Sequence, residues 1–341
     1  MSSEAPTTRR RAAPVITLLL LSPVIAEVLF GATRITTLFV LVPQIGTWGC
    51  AALIIRDLVR RRRRGWPAIL LLGVALAVAE EAVIQQTSLA PLVGVDPDRV
   101  YGRVLGVNWV YLLWALGYES VWAVVLPIQL TELIFPARRD EPWLGWRGLV
   151  LAAIVFVLAC LVAWYSWTQV FVPQFFPESA YRVPWAAIVT AWAVIVALSA
   201  AALGVPRWSR AETRAARPVP PPWLVGVVAF VMGLPWFLLV FLAYGAAPTL
   251  PVALPLGAGL ALACAALALV RHWASSASWH DAHRLALVFG AVAASMLAGF
   301  GVLQVGGAPL VDILGKLILN VIAIVLLIRL AREPQFRRTA V

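Results

Sequence analysis

Two adjacent glutamates, Glu80 and Glu81, interrupt an apolar run that reads LLLGVALAVAEEAVIQQTSLAP from Leu70 to Pro91. An ionisable side chain at the centre of a membrane helix costs roughly 2.5 to 3.5 kcal/mol on insertion scales, so it usually faces the bundle interior and has a partner. Carboxyl groups packed together in a low dielectric cannot all be ionised, because like charges repel strongly there. Such a group suits a general acid and base, or a relay that passes protons.

Two more carboxylates are predicted at the same depth. The rise of a helix, counted from the end of each apolar segment, places Glu27, Glu80, Glu81 and Glu119 at one level in the outer half of the bilayer. These four side chains come from three different segments of the chain. The sequence therefore predicts a layer of carboxyl groups inside the membrane.

Helical spacing adds amide side chains to this layer. Asn108 and Glu119 are separated by almost three full turns and are predicted on one face, and Gln85 follows Glu81 by one turn. We expect the substrate or proton path to be lined by Glu27, Glu81, Gln85, Asn108 and Glu119. Candidates for a catalytic role are Glu80, Glu81 and Glu119, although a static hydrogen-bonded polar core is an equally simple interpretation.

Two other charged groups stand out. Asp312, Lys316 and Asn320 are spaced four residues apart in the last apolar segment, which predicts an ion pair between Asp312 and Lys316 on one helix face. A run of five arginines is expected to contact anionic lipid head groups: Arg60, Arg61, Arg62, Arg63 and Arg64. No metal site and no cofactor is predicted, because ligand clusters and nucleotide-binding motifs are absent from the sequence.

The composition identifies the solvent of this protein. Of its 341 residues 62% are hydrophobic and 13% are charged, whereas about a quarter of the residues of a soluble protein are charged. A chain of this size cannot bury so much apolar surface in water, so a bilayer is predicted. The net charge of +11 comes from arginines in short loops between apolar segments, which indicates membrane topology and not a nucleic-acid partner.

The elements that must position the polar residues are ten apolar segments, each about 20 residues or longer. They lie at 14–32, 36–58, 67–88, 105–135, 147–168, 184–204, 223–246, 250–270, 284–304 and 309–330. We therefore predict an all-α, polytopic helical bundle with about ten transmembrane helices. All arginines except Arg34, Arg99, Arg103 and Arg182 then fall on one side, which places both termini in the cytoplasm and favours the inner (plasma) membrane.

The predicted organisation has two membrane portions. A cytoplasmic tail of residues 1–13 precedes a six-helix portion, 14–204, that contains the glutamates. The basic, proline-rich stretch 205–222 is predicted to be a cytoplasmic linker. A four-helix portion, 223–330, and a cytoplasmic tail, 331–341, follow it. The small-residue run GAVAASMLAGFG at 290–301 predicts close packing between helices.

Residues 22–145 resemble a family of uncharacterised multi-span bacterial membrane proteins. The resemblance is carried by SPVIAEVLFG, by GCAALIIRDLVRRRRRGWPAILLLGVALAVAEEAVIQQ and by LPIQLTELIFPARRDEPWLG. It implies a membrane location and no known activity.

The paired glutamates also resemble the EExxxR motif of the CAAX-protease and bacteriocin-processing (CPBP) family of intramembrane proteases. In that family the glutamates activate water together with FxxxH and HxxxN motifs on later helices. Here Gln85 stands in place of the arginine, Trp114 to Tyr118 reads WxxxY, and Lys316 to Asn320 reads KxxxN. The histidines that the family uses are therefore missing from these positions.

Three functions fit these observations. We favour a transporter or proton-coupled permeation protein that uses the carboxyl layer. Whether the protein is an enzyme does not follow from the sequence, and the incomplete set of catalytic residues favours the view that it is not one. A CPBP-like intramembrane hydrolase, in intact or degenerate form, and a non-catalytic membrane scaffold are the alternatives. The substrate, a small molecule or a peptide, and the oligomeric state do not follow from the sequence.

Overall fold

The computed structural model describes residues 8–93, 95, 100–175, 183–204 and 218–337. Over these residues the protein is an all-α bundle. The first helix, α1, runs over Thr8–Pro23 and continues as a π-helical turn over Val24–Val28. The next nine long helices are α2 Ile35–Arg61, α3 Trp66–Ile84, α4 Trp109–Ile134, α5 Trp146–Gln174, α6 Trp185–Gly204, α7 Pro222–Ala243, α8 Ala253–Ala274, α9 Asp281–Val305 and α10 Leu310–Ala331.

In the part of the chain that the structure describes, α2 to α10 are each long and apolar enough to cross a membrane. The first segment is shorter, since its apolar helix covers Ala12–Val28. The ten predicted segments thus correspond to ten helices, of which nine have the full length of a span. The described residues do not include 1–7, 205–217 or 338–341, so most of the predicted linker and parts of both predicted tails lie outside them.

Short elements complete the described chain. A two-stranded antiparallel hairpin, β1 Arg103–Val104 and β2 Val107–Asn108, lies in the connection between α3 and α4. A short helix, α11 Pro334–Arg337, follows α10.

Helices from both sides of the predicted linker share one core. The largest cluster of buried apolar residues joins α1 and α4 with α7, α9 and α10. The helices α7 and α9 lie close together at Gly290, because any Cβ atom there would overlap the carbonyl oxygen of Gly226. The small-residue run of α9 therefore packs against its neighbour as predicted, and the two membrane portions form a single packed unit.

The contacts between helix ends agree with helices that cross the membrane in alternating directions. Arg139, after α4, donates to Asp281 at the start of α9, and both residues are predicted to be cytoplasmic. Arg34, after α1, donates to the carbonyl of Gly306 at the other end of α9. Helix ends that were assigned to one side of the membrane thus contact each other.

Burial differs strongly between helices and shows where a site can be shielded from lipid. The most apolar window of α4 is 56% buried, whereas the corresponding windows of α5, α6 and α8 are each 11% buried. Helices that expose apolar side chains in this way face lipid in a bilayer. The helix that carries Glu119 is therefore the most buried of these spans.

Candidate functional site

All four predicted glutamates lie where their helices adopt π-helical hydrogen bonding. Glu27 belongs to the turn Val24–Val28 of α1, and Glu80 and Glu81 open the turn Glu80–Ile84 of α3. Glu119 opens the turn Glu119–Val125 of α4. A π turn inserts one residue into the helical ladder and occurs frequently at functional sites. The insertion also rotates the residues that follow it, so regular helical spacing no longer predicts which side chains share a face.

A proline fixes the contact between α4 and α1. Pro127 has no N–H group, so the carbonyl of Ala123, four residues earlier, loses its helical donor. That carbonyl instead accepts a hydrogen bond from the buried hydroxyl of Ser22, at 2.6 Å. The helix of Glu119 is thereby attached to the helix of Glu27.

A second proline brings α2 against α1. Pro23 likewise has no N–H group that could donate to the carbonyl of Leu19, four residues earlier. The backbone of Gly49 packs directly against this carbonyl, and a Cβ atom at position 49 would overlap its oxygen. The absence of a side chain at Gly49 therefore permits the contact that places Trp48 beside Glu27.

Glu81 and Glu119 form the centre of the site. Their side chains are in hydrogen-bond contact with each other, and they are 2% and 7% exposed. Ser88 donates its hydroxyl to Oε2 of Glu81 at 2.5 Å. An ionised carboxylate only accepts hydrogen bonds, so two carboxyl groups bond to each other only when one of them carries a proton. A contact of this kind is therefore suited to a proton shared by the two groups.

Glu27 is bound by groups from α2 and from the end of α1. The indole Nε1 of Trp48 donates to Glu27 Oε1 at 3.0 Å, and Thr33 donates to Oε2 at 3.4 Å. Gln44 in turn donates to Thr33 at 2.8 Å. Trp48 is not among the predicted site residues, although a tryptophan deep in an apolar segment needs an acceptor for its N–H.

Glu80 completes the group. It is 3% exposed, and its carboxyl group interacts electrostatically with those of Glu81 and Glu27. Glu119 interacts with the other three carboxyl groups. The structure therefore brings together the four glutamates that the sequence placed at one depth, and the protonation of each one affects the others.

Asn108 does not join this group as predicted, and the place of Gln85 in it stays a prediction. Gln85 is the C-cap of α3 and keeps helical backbone angles, with φ −81° and ψ −25°. Asn108 precedes the first turn of α4, with φ −83° and ψ 77°. The predicted shared face of Asn108 and Glu119 is therefore wrong, because one of the two residues is not helical.

Asn108 instead holds the loop that covers the glutamates. Its side-chain nitrogen donates to the carbonyls of Thr87 and Ala90, at 3.0 and 2.8 Å, and its backbone N–H donates to the carbonyl of Ser88. Arg103 donates to Oδ1 of Asn108 at 2.7 Å. These bonds position the serine that contacts Glu81.

The predicted ion pair of α10 is also wrong. Asp312 accepts bonds from the backbone N–H and the hydroxyl of Thr36, each at 3.0 Å. Lys316 donates to the carbonyl of Leu29 at 2.5 Å. The side-chain amide of Asn320 is oriented so that its oxygen accepts from Lys316 and its nitrogen donates to the same carbonyl. No carboxylate lies within ion-pair distance of Lys316 in the described chain. The two residues separate because Leu29, at the end of α1, provides an acceptor for Lys316 and Thr36, at the start of α2, provides donors for Asp312.

Three of the five consecutive arginines bind protein groups, and the contact with lipid stays a prediction for all five. Arg60 pairs with Glu132 at 2.7 Å, and Arg61 pairs with Asp57 at 2.7 Å. Arg64 donates to a backbone carbonyl at the end of α6. The other two arginines have exposed side chains.

Arg56 is a buried charged residue that is not among the predicted site residues. Its side chain is fully buried, pairs with Glu132 at 2.9 Å and stacks on Trp143 at 3.3 Å. Its remaining N–H groups donate to the carbonyls of Arg138, Arg139 and Glu141. This arginine fixes the cytoplasmic loop after α4 against α2.

The comparisons with known proteins agree with the membrane class. Residues 16–169 match the model of an uncharacterized membrane protein family. The matched part contains all four glutamates and the pair of Arg56 with Glu132. No curated protein and no solved structure matches the chain significantly. The chain is thus a multi-span membrane protein that is similar, over residues 16–169, to an uncharacterized membrane protein family.

Proposed function

We propose that this protein is a proton-coupled transporter in which Glu81 and Glu119 carry the exchanged proton. One observation carries the proposal: two buried carboxyl groups from different helices bond to each other inside the membrane. A proton held between two helices links protonation to the contact between them. Removing the proton places two negative charges side by side in a low dielectric, which drives the helices apart.

The backbone around the glutamates supports a moving part. The π turns and the prolines of α1 and α4 leave carbonyl groups that other helices satisfy, as Ser22 does for Ala123. Irregular backbone at membrane depth is tolerated where it is buried in protein or lines a cavity, and transporters use broken helices in this way. These turns are the points at which α1, α3 and α4 can change their relative position.

The hydrolase alternative lacks partners for its glutamates. Lys316 and Asn320, which stand at the HxxxN position, both bond to the carbonyl of Leu29. Tyr118, which stands at the FxxxH histidine, donates its hydroxyl to the carbonyl of Ala26. These groups are engaged with the backbone of α1, so transport explains the site better than water activation.

The arginine pattern further favours the plasma membrane, with both termini in the cytoplasm.

Proton flux in proteoliposomes tests the proposal. The purified protein is reconstituted with a trapped pH-sensitive dye, and a pH step is applied across the membrane. We expect Glu81→Gln and Glu119→Gln to lower the protein-dependent flux at least tenfold, because an amide cannot release a proton. Glu333→Gln, an exposed carboxyl group after α10, is the matched control and should retain the flux of the unmodified protein.

The scaffold alternative makes the opposite prediction. Suppose that the unmodified protein and both glutamine variants fold and insert, but that none of them carries more flux than empty liposomes. The carboxyl pair is then a structural polar core. Thermal unfolding in detergent reports on folding independently, so loss of flux and loss of structure are separable.

A further inference from the structure

An exposed leucine stands at the tip of the hairpin that precedes α4. The hairpin pairs Val104 with Val107, so Leu105 and Gly106 form its two-residue turn. Both turn residues have positive φ angles, of 54° and 76°. Such turns favour asparagine or aspartate followed by glycine, because a larger side chain collides with the backbone at positive φ. Leucine is therefore a costly residue at this position, and its side chain, which is 92% exposed, gains little from packing.

Two more apolar side chains are exposed beside this turn. Val104 is 54% exposed, and Trp109, the first residue of α4, is 42% exposed. The indole N–H of Trp109 donates to the carbonyl of Val104 at 3.1 Å, so the ring lies against the hairpin with its polar group bonded. Residues 104–107 carry no charge. The tip of the hairpin, residues 104–106, is therefore an apolar surface suited to a medium without water.

The length of α4 places the hairpin near the outer membrane surface. The helix has 26 residues and is about 39 Å long at 1.5 Å per residue. A bilayer measures about 30 Å across its hydrocarbon core and about 40–45 Å with its head groups. Trp109, at the outer end of α4, is thus at the level of the head groups, where tryptophan is enriched. Val107 precedes Trp109 by two residues, so the tip lies within about 7 Å of this level along the strand.

The base of the hairpin is fixed to the loop that covers the glutamates. Arg103 donates to the carbonyls of Leu89 and Ala90, at 2.8 and 3.1 Å. It also donates to the side chain of Asn108, whose backbone N–H donates to the carbonyl of Ser88. A change in the position of the hairpin is therefore transmitted through direct hydrogen bonds to the serine that contacts the carboxyl pair.

We propose that the hairpin tip inserts into the outer leaflet of the bilayer beside Trp109 and so anchors the loop that carries Ser88. The partner is the lipid surface, because the tip is apolar, uncharged and at the level of the head groups. Insertion replaces the water around Leu105 with lipid, which compensates for the cost of its backbone angle. The inference goes beyond the proposed function and holds whether or not protons cross the membrane.

Spin labels at single cysteines measure the insertion. The full chain, with Cys50, Cys160 and Cys264 replaced by alanine, is labelled at Leu105→Cys and reconstituted into vesicles of phosphatidylcholine and phosphatidylglycerol. Power-saturation electron paramagnetic resonance compares collisions with oxygen, which concentrates in lipid, and with a water-soluble nickel chelate. We expect the ratio of oxygen to nickel collisions at position 105 to approach that of Leu158→Cys, an exposed position within α5.

The matched control is Thr249→Cys, an exposed polar residue of the loop between α7 and α8. The hydroxyl of Tyr101 donates to the carbonyl of Leu250 at 2.8 Å, so this loop lies beside the connection that contains the hairpin. The collision ratio at position 105 should be at least threefold higher than at position 249.

A second measurement separates the leucine from any preference of the label itself. The label is placed at Val104→Cys, and residue 105 is changed instead. Leu105→Asp should lower the collision ratio at position 104 at least threefold, whereas Leu105→Phe should keep it. In unlabelled protein, amide hydrogen exchange of residues 87–90 should become several-fold faster in Leu105→Asp and stay unchanged in Leu105→Phe. Thermal unfolding of each variant checks that it is folded.

Equal collision ratios at positions 105 and 249 would overturn the insertion. Low collision rates with both reagents at position 105 would overturn it as well, because protein, such as a second copy of this chain, would then cover the tip. Lipid contact together with unchanged exchange of residues 87–90 in Leu105→Asp rejects the anchoring of the loop and keeps the insertion. Absence of glutamate-dependent proton flux rejects the transport function and leaves the insertion unaffected.

Discussion

The hydroxyl of Ser22 takes the place of the backbone donor that Pro127 lacks. It donates to the carbonyl of Ala123 at 2.6 Å, across the contact between α1 and α4. The two helices carry Glu27 and Glu119, so a hydrogen bond next to a proline links the helices of two of the four glutamates.

Removing the hydroxyl of Ser22 should destabilise the protein by about 1 kcal/mol, with an upper limit of about 2 kcal/mol, because it leaves a buried carbonyl unsatisfied. The measurement is thermal or denaturant unfolding of Ser22→Ala in detergent. In a Pro127→Ala background the new N–H of residue 127 can satisfy the Ala123 carbonyl, so Ser22→Ala should then cost less. Equal costs in the two backgrounds would show that the serine acts independently of the proline.

The buried pair of Arg56 and Glu132 should be the most sensitive ionic contact on the cytoplasmic side. Glu132→Leu leaves a fully buried guanidinium without its counter-ion, which costs about 3–5 kcal/mol when one partner of a buried pair is removed. The double variant Arg56→Met with Glu132→Leu should recover only part of this loss, because three loop carbonyls lose their donor. Unfolding measurements of both variants check this.

The matched control for that experiment is Arg62→Gln, whose side chain is exposed. It should change the free energy of unfolding by less than about 0.5 kcal/mol. A Glu132→Leu variant as stable as this control would contradict the structural role assigned to the pair.

Lys316→Met should be tolerated, with a change in the free energy of unfolding below about 1.5 kcal/mol. Lys316 has a backbone carbonyl and an amide oxygen as partners, so its removal leaves no buried carboxylate unpaired. The carbonyl of Leu29 keeps its bond from Asn320. If Asp312 were its ionic partner, the loss would be about 3–5 kcal/mol, and Asp312→Asn would restore stability.

The sequence by itself determined the membrane class, the ten helical segments, the pairing of helix ends on each side and the identity of the four glutamates. These follow from local quantities: the length of an apolar run, the rise of a helix and the position of arginines. The depth of each glutamate needs no knowledge of its neighbours.

Only the tertiary structure decided which polar groups meet. Asn108 lies before the first turn of α4, so the face that regular spacing expects it to share with Glu119 does not form. Lys316 and Asp312 separate because Leu29, at the end of α1, and Thr36, at the start of α2, supply partners that lie far away in sequence. Hydrogen-bond partners of buried polar groups depend on such long-range contacts, which is why Trp48, Ser22 and Arg56 became visible only once the helices were packed.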